Sequence, residues 1–227
     1  IGNIDFQAKE SLGVVAIVGS FLSMLIWVFA QIRSAVSAII SQYLGAGKLE
    51  EVKTLPAQAI VIVVGISILI ILGTYPFAAF IFQLYGAENT ILSYAVEYYQ
   101  IRIFGLPFTL FVFAIFGTFR GLQNTFYPMV VAILGALLNI VFDWVFVYGV
   151  EGFIPAMHIK GAAYASVISQ VIMAIASVIL LWKKTAISLQ LVFPLNKEIP
   201  RMIKMVLDLF VRTIALNTAL IFAVKQA

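Results

Sequence analysis

The 227-residue chain has no cysteine, a single histidine and only 11% charged residues, against roughly 25% in ordinary soluble domains. Without cysteine there are no disulfides and no thiolate metal centres. A lone His158 excludes the paired histidines of a zinc site. No acidic cluster suited to Mg²⁺ and no Gly-x-Ser-x-Gly nucleophile turn occurs. Gly45-Ala-Gly-Lys48 lacks the first glycine, the spacing and the following Ser or Thr of a phosphate loop. Neither an enzyme nor a bound cofactor is therefore expected. The net charge of +4 is spread through loops rather than gathered in one patch, so no nucleic-acid partner is expected either.

What fills the chain is hydrophobicity. Apolar residues make up 63% of it and the mean hydropathy is +1.09, which marks an integral membrane protein whose first partner is the lipid bilayer. Six apolar segments are expected, at about 12–44, 55–85, 92–118, 127–149, 160–182 and 204–225, each near or above the roughly 20 residues that cross hydrocarbon. The predicted fold class is an all-α membrane protein, a polytopic helical bundle of about six transmembrane helices. No basic start precedes a short apolar core, so no cleavable signal is visible. The first residue is Ile1 and the last, Ala227, falls inside an apolar run, and the chain is read as a fragment.

Lysine and arginine are enriched in cytoplasmic loops. Lys48 and Lys53, Arg120, and the set Lys183, Lys184, Lys197, Arg201 and Lys204 fall in alternate loops, whereas the others offer only Lys9 and Lys160. The first helix is thus expected to run from outside to inside. Tyr94, Tyr98, Tyr99, Trp144 and Tyr148 are expected to form an outer aromatic belt, with Glu97 and Arg102 as interfacial anchors. Gly73 with Pro76, and Gly105 with Pro107, are expected to break the second and third helices. Gly117 with Gly121, and Gly161 with Ala165, give small residues four apart, read as close helix packing. The stretch 189–205 is read as an amphipathic surface connector, and Asp208 with Arg212 as a structural ion pair.

The informative stretch is Asn139-Ile-Val-Phe-Asp143, an amide and a carboxylate four residues apart and so on one face of an apolar helix. A centrally placed Asp costs at least about 2.5–3.5 kcal/mol in a membrane helix, so such residues face a protein interior or a watery path. Desolvation makes a proton or Na⁺ its natural partner, with Asn139 as a possible co-ligand. The alternative is an interfacial Asp wetted from outside, six residues from the helix end at Gly149. Arg33, with Gln31 and Ser34, is a candidate for lining an aqueous cavity, the alternatives being a partner carboxylate or snorkelling.

From Phe119 onward the order of residues becomes specific: Phe-Arg-Gly-Leu-Gln-Asn-Thr-Phe-Tyr-Pro128, then Asn139-Ile-Val-Phe-Asp143 with Val147-Tyr-Gly149, then Ile159-Lys-Gly-Ala-Ala-Tyr-Ala-Ser166. This resembles the multidrug and toxic compound extrusion (MATE) family of secondary transporters. Val36 to Gly47 is similar to the inner end of that family's second helix. Asp208 to Leu216 looks like the start of its seventh helix, in the branch related to DNA-damage-inducible protein F. The resemblance implies two six-helix lobes, of which this chain supplies helices two to six as residues 1–184, an inter-lobe connector as 185–203, and the start of helix seven as 204–227. It implies that Asn139 and Asp143 bind the coupling cation, with Ser166 where many members have threonine. The first helix, its customary aspartate and the C-terminal lobe, a partner for this one, are absent. The implied function is a multi-pass antiporter of a bacterial-type inner (plasma) membrane, driven by H⁺ or Na⁺ and exporting amphipathic or cationic organic compounds. The rivals are a lipid-linked oligosaccharide flippase of the same superfamily and a non-transporting scaffold.

Overall fold

In the computed structural model, which describes residues 8–187, 189 and 193–226, α-helices account for nearly all regular structure. The elements are α1 (Ala8–Phe29), α2 (Gln31–Gly45), α3 (Leu55–Thr74), α4 (Ala78–Leu84), α5 (Asn89–Arg102), α6 (Leu106–Gly121), α7 (Phe126–Tyr148), α8 (His158–Lys184) and α9 (Ile199–Gln226). Among the described residues five stretches are long and apolar enough to cross a membrane: Ser11–Gly45, Leu49–Thr74, Asn89–Gly121, Phe126–Tyr148 and His158–Lys184. The sixth expected segment is helical, as α9, but is not among the five. Its described part carries Arg201, Lys204, Asp208 and Arg212.

Three of these stretches are interrupted helices. Pro76 sits in the turn between α3 and α4, and a 3₁₀ turn over Ile103–Gly105 precedes Pro107 at the start of α6, where a proline ring costs no hydrogen bond. Both breaks fall where Gly and Pro pairs place them. The break at Ala30 between α1 and α2 has no such marker in the sequence.

The third stretch is the axis of the bundle: α6 packs on α2, α3 and α8, while α5 packs on α1 and α8. Glycine sets the closest approaches. A Cβ at Gly117 would lie 2.6 Å from the carbonyl oxygen of Arg33, and one at Gly121 would lie 2.6 Å from Ile40 Cβ and 3.0 Å from Ser37 O, so α2 and α6 meet nearly backbone to backbone. Tyr99 is fully buried between Phe21 and Phe82, at ring-centroid distances of 5.7 and 5.2 Å, and its hydroxyl donates to Thr74 Oγ1 at 2.5 Å. Tyr98 is buried too, so neither joins an interfacial belt: burying a large ring in a protein core while satisfying its hydroxyl outweighs the interface preference. Trp144 and Tyr148 are exposed, as a belt requires.

Lys48, Lys53, Arg120, Lys184, Lys197 and Arg201 gather at one end of the bundle. Leu49, Phe119, Asn124 and Lys184 line one crevice there, and Gln42, Lys48, Glu51 and Lys197 another. The last part of the connector is clasped to this basic end. Asn196 N donates to Gln58 Oε1 at 2.8 Å, and Asn196 Nδ2 to Glu51 O at 2.8 Å and Thr54 Oγ1 at 3.2 Å. Tyr43 OH donates to Glu198 Oε1 at 2.9 Å, and Arg201 Nη2 to Gln42 Oε1 at 2.6 Å. Lys197 pairs with Glu51, whose hydrogen bond holds the lysine above its usual range. Helix α9 begins at Ile199, inside the predicted connector, and buries Ile199 and Met202 while leaving Arg201, Ile203 and Lys204 exposed, the expected amphipathic pattern. Residues 188 and 190–192 of that connector lie outside the described residues. Asp208 and Arg212 are both exposed and form no ion pair, because water solvates each at little cost.

Each net hydrogen bond contributes about 0.5–1.5 kcal/mol. Replacing Asn196 by Ala is therefore expected to raise the rate of trypsin cleavage after Lys197 and Arg201 by about tenfold or more, through local opening. Unchanged cleavage would show that the clasp does not hold the segment.

Candidate cation site

Helices α7 and α8 form the most extensive pair of the bundle and run antiparallel through the turn at 149–157. Their register is fixed by three contacts. Toward the end opposite the basic loops, a Cβ at Gly161 would overlap the backbone carbonyl of Phe146; toward the basic end, one at Gly135 would overlap the Met173 side chain. Between them Asn139 Nδ2 donates to Ser166 Oγ at 3.4 Å, long for a hydrogen bond and so weak. Asp143 follows Asn139 by one helical turn. It is half-buried, and its Oδ1 is buried with no hydrogen-bond partner. A buried carboxylate oxygen without a donor is costly, and a cation or proton would relieve that cost. The structure thus brings Asn139, Asp143 and Ser166 to one stripe of the α7–α8 interface.

The polar stripe extends onto α5, which the sequence reading missed. Gln170 lies one turn beyond Ser166 on α8 and faces the break between α5 and α6. In the amide orientation that satisfies every neighbour, its nitrogen donates to Gly105 O at 3.2 Å. Its oxygen accepts from Thr109 Oγ1 at 3.0 Å and Arg102 Nη1 at 3.1 Å. The 3₁₀ turn frees the Gly105 carbonyl for this bond, and a Cβ on Gly105 would overlap the Gln170 carboxamide. Arg102 also hydrogen-bonds Tyr98, one turn before it, and its charge reaches Asp143. Arg102 is therefore not the interfacial anchor expected: satisfying a guanidinium with an internal amide and a phenol keeps it half-buried. Glu97 does anchor at the surface, in an exposed pair with Lys160 at 3.1 Å. The signal in the sequence was the spacing, since Tyr98 and Arg102, like Ser166 and Gln170, are four residues apart.

Arg33, Gln31 and Ser34 lie elsewhere, on α2. Ser34 is exposed, while Gln31 and Arg33 are half-buried. The Arg33 guanidinium stands 5.4 Å from the centre of the Phe113 ring, and its Nε is buried without a partner. It forms no ion pair among the described residues, so it is held by a cation–π contact rather than by a carboxylate. A groove of about 770 Å³ opens between α3, α6 and α8, lined by apolar residues including Val64, Phe108, Phe111 and Val178. It holds no charged group and is separate from the polar stripe. Among the described residues no three of His, Asp and Glu converge on a metal position. The oxygens available to a cation near Asp143 are its own carboxylate, the Asn139 carbonyl and the Ser166 hydroxyl.

The MatE family model matches residues 4–145. DNA damage-inducible protein F of Escherichia coli K12 is 26% identical over 170 residues, which cover 75% of this chain and 36% of that protein. Multidrug resistance protein MdtK of Edwardsiella ictaluri is 30% identical over 132 residues, covering 58% and 29%. A crystal structure of MATE in the bent conformation superposes with a TM-score of 0.84 at 24% identity, over 94% of this chain and 47% of that one; it shows the same fold. The chain thus spans about a third of the length of the curated relatives it matches and about half of the solved chains.

Proposed function

Because the chain belongs to the MATE family of transporters, we propose that it forms the first lobe of a cation-coupled antiporter. That antiporter exports amphipathic or cationic organic compounds across an inner (plasma) membrane, with the basic end of the bundle in the cytoplasm. Residues 1–184 would belong to that lobe, 185–203 to the inter-lobe connector and 204–227 to the start of the second lobe. The reading rests on one observation above the others, the buried and unpartnered Oδ1 of Asp143 beside the Asn139–Ser166 pair. In an apolar helix pair this is the group whose state a proton or Na⁺ changes most.

The mechanism follows from differential binding. Uptake of H⁺ or Na⁺ from outside neutralises or screens Asp143, alters its interaction with Asn139 and Ser166, and so favours one arrangement of α7 against α8 over another. A ligand shifts such an equilibrium only by its difference in affinity for the two states. The chemistry assigned to this chain is binding and release, with no covalent step.

The test is efflux of the cationic dye ethidium from cells that produce the full-length protein, with and without collapse of the ion gradients. Gradient-dependent efflux above that of empty cells is expected. Absence of efflux together with loss of surface glycan on deletion would replace this reading with a lipid-linked oligosaccharide flippase. An effect of neither kind would leave a scaffold.

A further inference from the structure

The polar stripe contains a cation of its own. Arg102 on α5 is tethered by Gln170 at 3.1 Å and by Tyr98, and Gln170 is in turn fixed by Gly105 O and Thr109 Oγ1. Ser166 and Gln170 are adjacent on one face of α8, so the Asn139–Ser166 bond and the Arg102–Gln170 bond occupy neighbouring turns of the same helix. Asp143 is joined to this stripe through Asn139. No hydrogen bond from Arg102 reaches Asp143 Oδ1, which stays open.

We propose that Arg102 is a resident counter-charge for Asp143, a positioning residue that bars Na⁺ from the site and leaves the proton as the coupling ion. The inference rests on the reading of Asp143 as the cation acceptor and deepens it by choosing between the two ions. Two physical reasons support the choice. The repulsion between a fixed guanidinium and a second cation is several times stronger in a protein interior than in water. Na⁺ must also exchange its water for a shell of oxygen ligands, and most polar groups here point donors into the stripe: the Arg102 guanidinium, the Tyr98 hydroxyl and the Asn139 and Gln170 amides. A proton needs no shell. The groups that bear on Asp143 from the neighbouring elements are Tyr98 and Arg102 on α5 and the uncharged Ser166 and Gln170 on α8. The described part of α1, which packs on α5, carries no charged side chain.

The experiment is thermal unfolding of the purified full-length protein, comparing Na⁺ with choline at equal ionic strength. The wild type is expected to show no Na⁺ stabilisation that depends on Asp143. Arg102→Gln is expected to gain about 2 °C or more in Na⁺, Arg102→Lys to behave as wild type, and Asp143→Asn placed in the Arg102→Gln background to remove the gain. A folded Arg102→Gln protein with no Na⁺ response overturns the proposal. So does Na⁺ stabilisation of the wild type that Asp143→Asn abolishes, an arm that does not depend on whether Arg102→Gln folds. The exporter reading fails separately, if Asp143→Asn retains gradient-driven efflux, whatever the Na⁺ response.

Discussion

Asp143→Asn in the full-length protein is expected to reduce gradient-driven ethidium efflux to the level of cells without the transporter, while the protein folds and inserts normally. Asparagine matches the shape of aspartate and fits the same space beside Asn139, but it takes up no proton and carries no charge. The fold should not notice the change, because Asp143 Oδ1 has no donor to lose. Removing an unpaired buried charge is neutral or stabilising for a protein, so the melting temperature should stay within about 2 °C of wild type or rise. Ser166→Ala should be milder, since it removes one hydrogen bond of 3.4 Å, and a loss of only about two- to fivefold in efflux is expected. Undiminished efflux by Asp143→Asn would remove Asp143 from the mechanism altogether.

Gly161→Val should leave little or no folded protein. At Gly161 the first side-chain carbon would overlap the carbonyl carbon and oxygen of Phe146, and these are backbone atoms that cannot rotate aside. Overpacking a site whose neighbours can yield costs about 1–3 kcal/mol; here the alternative is to force α7 away from α8 along their whole contact. That would also part Asn139 from Ser166. Gly65→Ala is the internal control, because nothing lies within 4 Å of a Cβ at Gly65, and helix propensity favours the alanine by about 0.5–1 kcal/mol. Size-exclusion profiles of the two detergent-solubilised variants decide the matter. A monodisperse, normally melting Gly161→Val protein would mean that the close approach of these helices is not required.

These two expectations draw on different sources. Asn139 and Asp143 were legible because a charge in an apolar run is conspicuous and a four-residue spacing defines a face. Ser166 was reached only through family resemblance. The breaks at Pro76 and Pro107 and the small residues at Gly117, Gly121 and Gly161 were legible as types, since proline geometry and the absence of a Cβ act locally. Tyr98, Tyr99 and Arg102 were misread as interfacial residues: their composition suits an interface, and burial depends on which neighbouring helix covers them. Asp208 and Arg212 have the spacing of an ion pair and form none, because exposed charges gain little by meeting.

The sequence by itself determined that this is a helical membrane protein, where its long apolar helices lie, which end of the bundle is basic, and that Asp143 is the exceptional group. Each of these follows from local composition and helical periodicity against a hydrocarbon solvent. Only the tertiary structure decided that Gln170 on α8 holds Arg102 on α5, that the Arg102 charge reaches Asp143, that Asn196 clasps the connector to α3, and that Arg33 rests on Phe113. Those contacts join residues tens to more than a hundred positions apart. They depend on how helices pack against one another, which no local pattern encodes.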